Sequence, residues 1–180
     1  MNLFEPIKDK ILCVLHGNHE NRVYKSDGID MTQVMCNQLG IGERYSATTA
    51  LLFIRLGLDN RHGNDKSHHR QQAYTIYVTH GAGGGRKEGG KINRLADLAN
   101  ITDADVYICA HTHLPALFKT GYYRANFMNS SVAFVEKLFV NTASALDYGG
   151  YGDIQGYRPN SKEYPMIVLD GTKKKAKAIL

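Results

Sequence analysis

Apolar and polar positions along the chain follow two different periodicities. Short apolar runs of five to nine residues predict strands over 11–15, 50–58, 73–79, 105–109 and 132–140. The first of these runs, 11–15, is continuously apolar and is predicted to be buried on both faces. Helical spacing predicts one helix that begins after the N-cap Asp30 and ends at Gly40, and a second over 92–99. Two last extended runs, 166–169 and 176–180, flank Asp170-Gly171 and predict a terminal β-hairpin.

This alternation of strand and helix predicts an α/β protein. At 180 residues the chain fits one domain, 1–180, that can bury a sizeable core. No repeat or low-complexity tract divides it. No apolar run reaches the ~18 residues that a membrane span needs, so no membrane partner is expected. The three cysteines, Cys13, Cys36 and Cys109, are odd in number and widely spaced. This usage favours reduced thiols in a cytoplasmic protein over a disulfide framework.

The positive charge of the chain is concentrated near its end. Twenty-two Lys and Arg against seventeen Asp and Glu give +5, but four of these cations are Lys173, Lys174, Lys175 and Lys177. Without them eighteen cations face seventeen carboxylates, so the charge favours no protein-wide nucleic-acid surface, although nucleic acid stays open as a partner. Lysines that protect the edge of a terminal strand explain the cluster more simply.

Candidate functional side chains follow three of the predicted strands. Asn18 and His19 come after the run 11–15, His80 follows 73–79, and His111 and His113 follow 105–109. In open α/β sheets, ligands bind beyond the carboxyl ends of strands, so these three loops are predicted to converge. Imidazole and amide oxygen suit Mn, Zn, Fe or Ni better than Ca or Mg. Three further histidines, His62, His68 and His69, lie in a polar loop over 59–72 with no assigned purpose.

The motifs Gly17-Asn18-His19-Glu20, His80-Gly81 and Ala110-His111-Thr112-His113 resemble the calcineurin-like metallophosphoesterase superfamily, in particular its phage and prophage members. They correspond in order to the family's G-N-H-E/D, isolated H and G-H-x-H motifs, with Ala110 in place of the usual glycine. The resemblance extends from about residue 11 to 169 and includes the segment 141–144. It implies a layered α/β/β/α sandwich and a metal-dependent phosphoesterase that hydrolyses phosphomonoesters or phosphodiesters.

The resemblance also implies roles for individual residues. Asn18, His80 and His111 would bind the second metal ion, and His113 the first. His19 would be the catalytic histidine that protonates the leaving oxygen or stabilises phosphoryl charge. In the complete family site, two metal ions activate a hydroxide for in-line attack on phosphorus. Arg22 is a candidate contact to the substrate phosphate, and Glu20 is expected to support the loop.

The family's first two motifs, D-x-H and G-D-x-x-D, are absent from this sequence. The resemblance therefore covers the C-terminal portion of the family domain, N-terminally incomplete. Two divalent ions about 3.7 Å apart repel by roughly 18 kcal/mol at an effective dielectric of 20, and the matched ligands here are all neutral. We expect at most one divalent ion per chain, with Mn favoured, unless carboxylates such as Asp27 or Asp153 are recruited. Self-association or a separate N-terminal polypeptide would complete the sheet.

Two alternatives remain open at this point. Gly85–Lys91 satisfies the G-x-x-x-x-G-K pattern of a phosphate-binding P-loop, but Ile92 stands where Ser or Thr is required. The second alternative is a non-catalytic remnant or subunit that keeps the fold as a binding or structural module.

Overall fold

A five-stranded mixed sheet forms the centre of the computed structural model, which describes residues 3–57, 71–83, 85–145, 147–154 and 156–180. In spatial order its strands are Thr49–Leu56 (β3), Gln72–Thr79 (β4), Val106–Cys109 (β5), Ser131–Asn141 (β7) and Ala116–Asn126 (β6). Strands β4, β5 and β7 run parallel, and the outer strands β3 and β6 are antiparallel to their neighbours. The predicted α/β class is confirmed.

Nine strands and four α-helices lie in the described ranges. The strands are β1 Val14–Leu15, β2 Tyr45–Ser46, β3 Thr49–Leu56, β4 Gln72–Thr79, β5 Val106–Cys109, β6 Ala116–Asn126, β7 Ser131–Asn141, β8 Met166–Leu169 and β9 Ala176–Ile179. The helices are α1 Glu20–Asp27, α2 Met31–Gln38, α3 Glu88–Asp97 and α4 Tyr151–Ile154. Short 3-10 helices cover Glu5–Lys10, Gly42–Arg44 and Leu98–Asn100.

Different elements pack against the two faces of the central sheet. On one face Tyr107 and Phe139 stack with ring centroids 4.8 Å apart and pack with Leu95 of α3. On the other face Val106 and Val140 pack against apolar side chains of β8 and β9. The sheet is therefore a middle layer between a helix and a two-stranded hairpin, which is how its mostly apolar central strands are buried.

The terminal hairpin is confirmed, as a separate two-stranded sheet of β8 and β9. It is anchored by the buried Tyr74 of β4, whose hydroxyl lies 2.6 Å from the Asp170 carbonyl and accepts a hydrogen bond from the Lys175 amide at 2.9 Å. Lys174 donates to the Asp105 carboxylate at 2.8 Å and lies over the Tyr74 ring. At least this lysine of the basic cluster thus holds the hairpin on the sheet.

The N-terminal unit, residues 3–46, differs most from expectation. The run predicted as a strand buried on both faces, 11–15, forms only the two-residue strand β1, which pairs in parallel with β2, and Leu12 is 61% exposed. The unit has a small core of its own around Cys36, Leu39 and Ile41. Strand β1 is short because its partner β2 has only two residues, directly after the 3-10 helix Gly42–Arg44.

The predicted helix boundaries hold well in α2 and less well elsewhere. The Asp30 carboxylate accepts a hydrogen bond from the Gln33 amide at 3.0 Å, so the N-cap is confirmed. Helix α3 begins at Glu88, earlier than predicted, and includes Gly89 and Gly90. Helix α1 was not predicted. Most of the polar loop 59–72, with His62, His68 and His69, lies outside the described residues.

Replacing Tyr74 with phenylalanine tests the anchoring of the hairpin. Tyr74→Phe should lower the free energy of unfolding by about 1–3 kcal/mol, because partly buried hydrogen bonds between the Tyr74 hydroxyl and the backbone of the 170–175 turn are lost. Urea denaturation followed by circular dichroism measures this change. The exposed Tyr164 gives a matched control, Tyr164→Phe, which should change stability by less than about 0.5 kcal/mol. Equal effects of the two substitutions would contradict the conclusion that Tyr74 anchors the terminal hairpin.

Candidate active site

Parallel pairing of β4 and β5 places two histidine loops side by side. His80 follows the last residue of β4, and His111 lies two residues beyond the end of β5. The two imidazole rings meet edge to face, with centroids 5.2 Å apart. Because β7 is parallel to β5, Asn141 at its end lies at the same edge of the sheet.

Asn18 reaches these histidines from the N-terminal unit. Its side-chain oxygen Oδ1 lies 3.0 Å from Nε2 of His80, across sixty-two residues of sequence. The loop between β1 and α1 carries Asn18 and His19, both exposed. A Cβ on Gly17 would collide with the Glu20 carboxylate and approach the His80 ring to 3.5 Å, so the glycine permits this close packing.

The loop after β5 has an unusual backbone. His111 and His113 both have positive φ, 62° and 56°, a conformation that costs non-glycine residues of order 1 kcal/mol or more. The Thr112 amide donates to the Ala110 carbonyl at 2.6 Å and closes a tight turn. Sequence alternation places His111 and His113 on opposite faces of a strand, whereas this turn directs both toward one cleft.

Two residues outside the predicted site hold that turn. The side-chain amide of the buried Asn141 donates to the Thr112 hydroxyl at 2.7 Å and to the Leu114 carbonyl. Lys91 of α3 donates to the Thr112 carbonyl at 2.9 Å. Neither role was predicted, although Asn141 stands directly after an apolar run, as the other site residues do. Lys91 is also the lysine of the Gly85–Lys91 pattern, and its contact with Thr112 gives it a structural role that needs no bound nucleotide.

The loop that carries Asn18 is supported by a second polar cluster. Nδ1 of His16 lies 3.0 Å from Oδ2 of Asp30, and the Tyr45 hydroxyl donates to the same carboxylate oxygen. Burial opposes the charge of this carboxylate, but hydrogen bonds from Tyr45, Gln33 and His16 hold the pKa of Asp30 below its ordinary value. His16, two residues before Asn18, is therefore tied to the N-cap of α2.

All of the predicted site residues except His80 line one cleft of about 430 Å³. Asn18, His19, Arg22, His111 and His113 face it together with Lys91 and the segment that contains Tyr148, Tyr157 and Arg158. His80 lies behind Asn18 and His111, in contact with both. The structure thus brings together all of the sequence-predicted site residues, with Arg22 at the rim on α1. Asp27 stands at the C-terminal end of α1, whereas Asp153 of α4 contacts Tyr148.

The cleft is cationic and its imidazoles favour the neutral form. Burial lowers the pKa of His80, His111 and His113, and the neighbouring His111 lowers those of His80 and His113 further. Glu20 acts in the opposite direction on His80. Of the carboxylates nearby, Asp147 is paired with Lys162, and Glu88 with Arg158 at 3.2 Å. Neutral imidazoles beside Arg22 and Lys91 suit binding of an anion together with a cation that imidazole can ligate.

In the part of the chain that the structure describes, no carboxylate is arranged with the histidines as a ready metal ligand. Among the described residues, no group of three His, Cys, Asp or Glu side chains is arranged to hold one ion. The potential donors are Oδ1 of Asn18 and the imidazole nitrogens, all neutral. Within the same ranges, no helix has the length and apolar character required to span a bilayer.

Comparison with known proteins adds no relative: no protein-family model, curated protein or solved structure matches this chain. The chemistry of the cleft therefore rests on its own geometry.

The electrostatic coupling of Glu20 to His80 can be measured directly. Glu20→Gln should lower the pKa of His80 further, because the substitution removes the carboxylate that favours the imidazolium. Titration of the histidine ring resonances by NMR in metal-free buffer measures this shift, with Glu43→Gln as the control at an exposed carboxylate on the N-terminal unit. An unchanged His80 pKa in Glu20→Gln would contradict this geometry.

The lowered histidine pKa values also predict how stability depends on pH. Because folding lowers the pKa of His80, His111 and His113, the free energy of unfolding should fall as pH drops below about 6.5.

Proposed function

We propose that this chain is a metal-dependent phosphoesterase of the calcineurin-like type, to which it contributes the asparagine and histidine part of the site. One observation carries the proposal: Asn18, His111 and His113 line a cleft together with cationic side chains, and His80 contacts both Asn18 and His111. The same residues stand in the three motifs that resemble the family, and the cleft lies at the carboxyl edge of a mixed sheet. The expected substrate is a phosphate ester.

The donor set fits one divalent transition metal ion. Oδ1 of Asn18 and Nε2 of His80 are 3.0 Å apart, so both point into the same small region, which the His111 ring borders. Lowered histidine pKa values keep these nitrogens available as ligands near neutral pH. Mn²⁺ is favoured, with Zn²⁺, Fe²⁺ and Ni²⁺ as alternatives. A second ion is not supported, because no carboxylate offsets the repulsion between the ions.

Other residues of the cleft bind the phosphate, donate a proton or position a loop. When bound, the ion would supply Lewis-acid polarisation of the phosphoryl group. Arg22 and Lys91 attract and orient the phosphate anion, although Lys91 also holds the Thr112 carbonyl. His19, exposed at the start of α1, donates a proton to the leaving oxygen. Asn141 keeps the loop 111–113 in place while the substrate binds.

Full activity requires free carboxylates beside the histidines, whereas Asp147, which lines the cleft, is paired with Lys162. In the proposed reaction a segment that carries D-x-H and G-D-x-x-D motifs, outside the 180 residues of this sequence, supplies them and docks beside β1. Exposed apolar side chains of the N-terminal unit, Leu3, Ile7 and Leu12, support such docking. The neutrality of the donor set also favours the second candidate function, a non-catalytic module that binds a metal ion or phosphate ester without turnover.

Metal stoichiometry tests the donor set. Titration of the metal-free chain with Mn²⁺ or Zn²⁺ in a calorimeter should show at most one weak site, whose affinity falls as pH decreases through the histidine pKa values. Asn18→Ala and His80→Ala should each weaken binding at least tenfold, a typical result of losing one ligand or its orientation. The control Asn129→Ala, in the turn between β6 and β7, should bind as the unchanged chain does. Two tight sites, or binding that survives both substitutions, would contradict the proposal.

Complementation tests the activity. With Mn²⁺ present, the chain alone should hydrolyse an aryl phosphodiester negligibly, and a polypeptide carrying the two aspartate motifs should raise the rate markedly. In the complemented enzyme, His19→Ala should lower kcat by about 10²–10⁴-fold, the range expected for loss of a proton-transfer residue. Family-like rates from the isolated chain that depend on Asn18 and His80 would refute the need for a partner. No gain with any such polypeptide would favour the binding module.

A further inference from the structure

The hairpin of β6 and β7 extends beyond the rest of the sheet. Both strands have eleven residues and are joined by the turn 127–130. Their register places Tyr123 opposite Phe134 and Ala125 opposite Val132, so these four side chains lie on one face of the outer half of the hairpin. We call this surface, with Phe127 and Met128 of the turn, the distal hairpin face.

The inner half of the same face belongs to the protein core. Leu117, Leu138 and Val140 share the face by strand alternation, and they pack with residues of β8 and β9. The β8–β9 hairpin does not cover the distal part. Tyr123 is 80% exposed, Phe134 62% and Val132 66%, while Phe127 and Met128 are almost fully exposed. An apolar core face thus continues into solvent, which is unusual for a protein that stays monomeric.

The side chains of the distal hairpin face pack against one another in a defined arrangement. The Tyr123 and Phe134 rings contact each other edge to face, with centroids 5.7 Å apart. The Phe134 ring also lies over Gly121, where a Cβ would collide with it. Lys119 and Glu136, paired at 3.5 Å, mark the border with the core. Beyond that pair, the face carries no charged residue.

The apolar character and the area of the distal hairpin face favour a second copy of this chain as its partner. An uncharged apolar face offers no charge complementarity that would favour a different protein, whereas a second copy of the chain presents the same exposed apolar side chains. An aromatic side chain can bury about 150–250 Å² of surface, so the exposed side chains of the distal hairpin face together present roughly 700 Å² of surface. A stable dimer buries about 800 Å² on each partner, an area that this face and its margin supply.

We propose that two copies of this chain associate through their distal hairpin faces about a twofold axis. The faces pack as two sheets, with Tyr123 and Phe134 of each copy interleaved at the centre. The histidine cleft lies at another part of the molecule and stays open in the dimer. The proposal is independent of the proposed phosphoesterase function, because no residue of the cleft takes part.

Sedimentation equilibrium of the full chain tests this association. The unchanged chain should show twice the mass of one copy, with a dissociation constant in the micromolar range or below. Phe134→Lys should weaken dimerisation at least about 30-fold, the effect of removing a central aromatic contact and introducing a buried charge. Phe134→Leu should retain most of the dimer. Val168→Lys, at an exposed apolar position of β8, is the matched control and should leave the mass unchanged.

The substitutions change exposed side chains, so circular dichroism and the thermal midpoint should show that all variants fold. A monomeric unchanged chain at about 0.1 mM would overturn the proposal. A dimer that persists in Phe134→Lys would place the contact elsewhere and overturn it too. Binding of the monomer to lipid vesicles through Phe127 and Met128 would likewise contradict it, because the face would then have a different occupant.

Discussion

The contact between Asn18 and His80 is the interaction on which the candidate site depends. It joins the N-terminal unit, which has a separate core around Cys36, to the edge of the central sheet. A hydrogen bond between two largely accessible side chains stabilises a protein by only about 1 kcal/mol, so it is a weak link between two packed units. A cation bound by both side chains would strengthen that link considerably. Binding at the site and the docking of the N-terminal unit are therefore expected to be coupled.

The opposite side of the site is held much more firmly. His111 and His113 keep strained positive φ values because the turn is held on both sides. The buried Asn141 binds the Thr112 hydroxyl and the Leu114 carbonyl, and Lys91 on α3 binds the Thr112 carbonyl. Strain of this kind persists where the surrounding structure determines the backbone. One wall of the cleft is thus preorganised by the sheet, whereas the other wall depends on a small unit that carries Asn18, His19 and Arg22.

Local patterns predicted the sheet well because its strands are buried and its turns have specific residues. The Asp170-Gly171 hairpin and the Asp30 N-cap depend on short-range hydrogen bonds that neighbouring residues reveal. The prediction for the run 11–15 was wrong because Ile11 and Val14 pack in a small separate core rather than in the central sheet, and Leu12 is exposed. The convergence of the three loops followed from a topological rule, the alignment of strand ends, and the candidate residues followed from three short motifs that resemble a known family. Lys91 and Asn141 could not be assigned, since their roles arise only from contacts between distant loops.

The most direct test of the central claim, that three loops form one metal-binding site from neutral donors, is an anomalous-scattering map of crystals soaked in Mn²⁺. The account predicts a single peak with Oδ1 of Asn18, Nε2 of His80 and a nitrogen of His111 within about 2.0–2.3 Å. The His113 ring should border the same ion. No peak between these side chains at saturating Mn²⁺, or a peak held by carboxylates elsewhere, would contradict the account.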